Sequence, residues 1–235
     1  MADEIITPAT ATQSSTQTDT TTLSSPYESA EHIFQRYKIT LANAKRPDAQ
    51  TFLSQYNYTD KRIDEGLLIL QNASTLTAAQ RKEKGEQLAA SLERDNAYAG
   101  VRKNFLKTRT IAREAFSSDP SAFAALNLSG PTKTTVSGIS KQADTFYANL
   151  LGTPAFVETM SYYGYTKEKL TAEQQLLQTL LDTSALHKQE YSEAVKATVT
   201  RDEALDALDA WMGKFYTVAN VAFKEAPQML KAFGL

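Results

Sequence analysis

The sequence predicts an all-α protein built as a tandem duplication, and three observations carry that prediction. Tyr56 falls on Tyr163, and this offset of 107 residues then holds without a gap to the C-terminus. The stretches 60–117 and 167–225 contain no proline. Along both, apolar, small and a few polar residues recur at steps of three and four, the period of one helix face.

The elements follow in chain order. Residues 1–26 differ from everything after them: between Thr7 and Ser25 stand eight threonines and four serines, with almost nothing to bury. Such a segment cannot offset its ordering entropy and is expected to be a disordered tail. It has neither the basic nor the apolar region of a secretory leader. No apolar run in the chain approaches a membrane span. The expected location is therefore the cytoplasm.

Residues 27–128 form the first helical repeat and 129–235 the second, the two making one folded unit. Short helices are expected over 28–44 and 136–151. Thr59 and Thr166 stand where an N-cap belongs, with hydroxyls able to accept from unpaired amides. Tyr58 with Ile63, and Tyr165 with Leu170, have the spacing of a hydrophobic staple. Pro120 and Pro227 can each open a further short helix. Asn127 and Gly234 suit the left-handed conformation that ends one. Ser129-Gly130-Pro131 is the linker between the copies.

Two architectures fit the long proline-free stretches. Each is one helix of roughly 87 Å at 1.5 Å per residue, with two such helices antiparallel and the short helices packed at their ends. Alternatively each turns back near Gly85 and Ser192, giving a compact up-down multi-helix bundle. The stripe favours the long helix, because Leu176, Leu180, His187, Ala194, Arg201 and Leu208 keep step through the point where a loop would reset it. Thr200 and Glu203, at capping-box spacing, argue for a break in the second copy alone. In the hairpin, Tyr58 and Phe116 are neighbours; in the long-helix form they are far apart. Antiparallel crossing near residues 88 and 195 places Glu83 opposite Arg201 and Glu190 opposite Arg94, a structural polar layer that would fix register.

Little in the sequence points to chemistry. Lys plus Arg number 25 against 27 Asp plus Glu, a balance that suggests neither nucleic acid nor an anionic membrane as partner. With no cysteine, disulfides, thiolate metal sites and cysteine nucleophiles are excluded. No nucleophile elbow, phosphate loop or dinucleotide fingerprint is present, and no cofactor is implied. His187 and Glu190 share a helix face at a spacing that can bind a metal, but the first copy has Gln80 and Glu83 there. His32 is expected on a helix surface. Arg102, Lys103, Lys107, Arg109 and Arg113 are expected to form a solvated face, since the second copy does not repeat them.

The duplicated pattern Y-x-Y-T, R-D-x-A, A-F-x-x-x-P resembles a group of uncharacterised bacterial helical proteins. That resemblance covers residues 27–235 and implies no activity and no catalytic residues. The sequence thus predicts a non-enzymatic structural or protein-interaction protein that self-associates or binds a dedicated partner. The alternative is a bundle that binds a metal or small ligand, or an enzyme of unrecognised type.

Overall fold

Two uninterrupted helices dominate the computed structural model, which describes residues 29–233. In chain order the helices are α1 (Ala30–Ala44), α2 (Pro47–Leu53), α3 (Asp60–Ala115), α4 (Pro120–Ala125), α5 (Val136–Gly152), α6 (Pro154–Tyr162), α7 (Lys167–Ala222) and α8 (Pro227–Leu230). Single 3₁₀ turns follow α2 and α8, and the described residues include no strand. Helices α3 and α7 each hold 56 residues, with bounds related by the 107-residue offset. Each is therefore about 84 Å long. The expected tail, residues 1–26, and Gly234 lie outside the described residues.

Local sequence explains where the long helices begin. Asn57 (φ 63°) and Gly164 (φ 77°) occupy equivalent positions and take the left-handed conformation that turns the chain into each helix. Thr59 and Thr166 then adopt extended N-cap geometry. Only Thr166 completes the cap, accepting from the Lys169 amide at 3.4 Å; the Thr59 hydroxyl makes no capping bond. Both staples are buried, and each tyrosine is also covered by a cation one turn into its helix. Arg62 lies 4.6 Å from the Tyr58 ring centroid, and Lys169 lies 3.6 Å from that of Tyr165.

The helices run antiparallel and make a core at each end. One contains Leu41, Ala49, Tyr58, Ile63, Phe215 and Phe223, drawn from α1, α2, the start of α3 and the end of α7. The other contains Phe105, Phe116, Leu126, Phe146, Met160 and Leu170, from the end of α3, α4, α5, α6 and the start of α7. Each core thus mixes both halves of the sequence. Tyr58 and Phe116 belong to different cores, which excludes the hairpin. Helix α7 also runs straight through Thr200 and Glu203.

Burial follows the predicted stripe through the middle, but toward the ends the buried residue is the next in sequence: Leu177 is buried and Leu176 exposed, and Leu70, Thr77, Met212 and Ala219 lie deeper than Ile69, Leu76, Trp211 and Val218. Aromatic residues concentrate at the ends, where full burial of each stabilises by roughly 1.5–3 kcal/mol. Between the cores the inward residues are small or polar, including Thr77, Gln87, Ala90 and Ala194. Here, among the described residues, only α3 and α7 pack on each other, forming a narrow waist.

Candidate functional site

The axial register of α3 against α7 is set at the ends. A Cβ on Gly66 would come within 2.5 Å of the Trp211 ring, so the indole packs directly on the glycine backbone. At the other end, Glu173 Oε2 accepts from Thr108 Oγ1 at 2.6 Å and from the Tyr147 hydroxyl at 2.9 Å. These contacts bring Arg94 level with His187, whose ring nitrogens lie 3.1 Å from Nη1.

This register corrects the predicted polar layer of Glu83, Arg94, Glu190 and Arg201. Neither Glu83–Arg201 nor Glu190–Arg94 forms an ion pair among the described residues. Each arginine instead bonds the aspartate beside it: Arg94 to Asp95 at 2.7 Å and Arg201 to Asp202 at 2.5 Å. The end contacts displace the helices by about one turn from the charge-matched alignment. Carboxylate oxygens of Glu83, Glu86 and Glu190 consequently lie within 4.8 Å of one another. Partial desolvation, then repulsion from Glu193, Glu86 and Glu83, raises the Glu190 pKa above its ordinary value. Lys82, 3.0 Å from Glu86, offsets part of the charge.

His187 is not part of the acidic group that gathers around Glu190. The imidazole faces a permanent cation, Arg94. His32 is exposed on α1.

The Glu173 network is a buried polar site that periodicity alone could not reveal. Glu173, Thr108 and Tyr147 stand at the positions of Gly66, Phe215 and Thr40 in the other copy. The two ends therefore fill one geometry differently: a carboxylate with two hydroxyls at one, an indole over glycine at the other. Burial, then the charge and hydrogen bond of Glu173, drive the Tyr147 pKa far upward. This phenol is a hydrogen-bond donor, unsuited to act as base or nucleophile. The legible signal was a paired exchange: where the second copy loses a glycine, the first loses the tryptophan that would need it, Asn104 standing for Trp211.

The basic cluster also divides. Arg102, Lys103 and Lys107 are exposed as expected, but Arg109 is buried. Its Nη2 lies within hydrogen-bond distance of the carbonyls of Asn127, Leu128, Ser129 and Gly130, at 3.0–3.2 Å. Arg113 Nε donates to Leu128 O at 2.8 Å. The two guanidiniums clamp the linker between the repeats, a segment that occurs once and so needs no counterpart in the second copy.

The waist carries the most unusual surface. Leu88 and Leu92 on α3, with Tyr191, Val195 and Val199 on α7, are each roughly half exposed. Leu88 and Val195 are equivalent across the duplication, as are Leu92 and Val199. A two-fold relating antiparallel helices stands perpendicular to their common plane, so it maps each broad face onto itself. Both pairs therefore lie on one face, beside a groove of about 260 Å³ lined by Lys84, Gln87, Tyr191 and Val199.

Helices α1 and α5 pack on this same face. Leu67, Ser74, Arg81 and Leu88 follow one another at seven-residue steps along α3. Phe34 of α1 shares a cleft with Leu67 and Ser74, and Glu31 pairs with Arg81. Leu88 is next in line and no described helix covers it. On α7, Gln174 and Leu181 lie against Asp144 of α5, and Val195 is again beyond the cover. Comparison with protein-family models, curated proteins and solved structures finds no match to this chain.

Proposed function

We propose that this chain is a non-enzymatic structural protein of the cytoplasm that self-associates. The carrying observation is the apolar strip at the waist, where five large side chains in one band face solvent, while other exposed apolar residues such as Ile39, Leu68 and Val221 are spread along the molecule. Contiguous exposed apolar surface of this kind marks an interaction site more often than an idle patch. A protein rather than nucleic acid suits the strip, since the groove beside it is lined by one cation, Lys84, among apolar, hydroxyl and amide groups. No described helix is long and apolar enough to cross a membrane.

Sedimentation velocity of the full chain over a wide concentration range tests this. The expected result is reversible growth of a dimer or larger species. A single monomer boundary at every concentration overturns it. Metal binding has one supporting feature, the carboxylates of Glu83, Glu86 and Glu190; a stoichiometric divalent ion found by elemental analysis of the purified protein would favour that reading instead.

A further inference from the structure

We infer that the waist is a notch in which a second copy of this chain seats crosswise, the notch of each receiving the rod of the other. This rests on the self-association reading and assigns it a surface and a geometry.

The notch has walls and a floor. Helix α1 starts beside Arg81 and covers the face on one side. On the other side α5 starts with Val136, in a cleft shared with Arg94 and His187. From Arg81 to Arg94, about 20 Å at 1.5 Å per residue, no described helix covers the face. The rod that must enter is two helices wide, also about 20 Å at 8–10 Å between axes plus side chains. Gap and insert therefore match.

Sterics select the crossing. Two copies laid face to face and parallel would meet first at α1 and α5, each one helix thick, and their waists would stay apart. Rotating one copy about the shared axis removes that collision and brings floor onto floor. A floor of about 20 by 20 Å, with two walls about 10 Å deep, gives on the order of 800 Å² per copy, the size of a stable protein interface.

Chemistry and symmetry agree. Leu88, Leu92, Val195 and Val199 are all apolar and are repeated by the internal two-fold, so a second copy crossing in either sense meets apolar residues with apolar residues, and a two-fold pair of copies is closed. The acidic group of Glu83, Glu86 and Glu190 lies toward the opposite face of the rod, where like charges on two copies would repel. Only the apolar face is suited to meet its own copy.

The test is dissociation of the full chain by sedimentation, together with small-angle scattering. Leu88→Asp and, separately, Val195→Asp are expected to weaken dimerisation at least tenfold, with helical content unchanged because both positions are exposed. Leu68→Asp is the control. Leu68 is 65% exposed but stands 20 residues, about 30 Å, before Leu88 on α3, outside the notch, and is expected to leave the dimer intact. Should an aspartate variant lose helix, Val199→Lys replaces it. The dimer's largest dimension is expected to stay near that of one rod, about 84 Å; end-to-end growth toward twice that overturns the crossed geometry. An oligomer indifferent to the notch variants overturns this inference and leaves self-association standing. A monomer at all concentrations, whether residues 1–28 or another partner covers the notch, overturns both.

Discussion

Gly66 sits inside a long helix, where glycine is about 1 kcal/mol less favourable than alanine. Its retention is explained by Trp211, whose ring lies where a Cβ would be and is itself held between neighbours. It stacks on Phe215 at an interplanar angle of 10° and meets the Tyr58 ring edge-on. Helix propensity and packing therefore pull in opposite directions at one residue. Overpacking a filled core costs about 1–3 kcal/mol, so packing is expected to win. Gly66→Ala is predicted to lower stability by about 1 kcal/mol net in chemical denaturation, against the direction of propensity. Trp211 is the only tryptophan, so its fluorescence reports the displacement directly. A variant more stable than the parent, with unchanged emission, would show that the indole gives way freely. The Glu173 end behaves differently because its carboxylate stands at the glycine position and accepts from two buried hydroxyls. Exchanging the ends is thereby disfavoured: α1 offers Thr40 where α5 offers Tyr147, so each short helix matches its own end.

At the scale of the helix pair, the end contacts prevail over the charges at the middle. The register they impose gathers Glu83, Glu86 and Glu190. Because the fold raises the Glu190 pKa, its ionised form is disfavoured by folding; the penalty is full at neutral pH and fades as pH falls through the raised value. Glu190→Gln is accordingly predicted to raise the melting temperature at pH 7, with the gain shrinking through the range just above the ordinary carboxylate pKa. Melting followed by circular dichroism across that range checks the sign; a gain that grows toward acid would refute it. The inward stripe, the staples and the continuity of both helices were legible in the sequence, since each is a periodicity or spacing within one segment. The axial register was not. Sliding one helix by a turn leaves the same residues inward, and what selects among the alignments is a fit between residues far apart in the chain, Gly66 with Trp211 and Thr108 with Glu173. Arg109 was misjudged for a related reason. Its lack of a counterpart suggested an idle surface, whereas its partner, the linker, has no counterpart either.

Across the whole molecule, stability is concentrated at two places and thin between them. Both cores join the two repeats, so neither repeat can leave without breaking both ends. Among the described residues the waist has no third helix and no buried aromatic ring; its helices persist because the ends hold them in line. Local opening follows the density of buried contacts, so amides near 82–96 and 189–203 are expected to exchange with solvent faster than those at the same depth within the end bundles. Hydrogen exchange read by mass spectrometry on dilute protein tests this peptide by peptide. Raising the concentration adds a second layer of helices over the notch, and exchange there is expected to slow while the end bundles stay as they were. Uniform protection in dilute protein would mean that α3 and α7 resist opening by their own pairing. Slowing at the ends instead would place the contact between copies on the bundles. The weak middle and the exposed apolar face are the same residues, so a single surface accounts for both: the missing cover is what makes the waist open readily alone and what leaves room for another copy to close it.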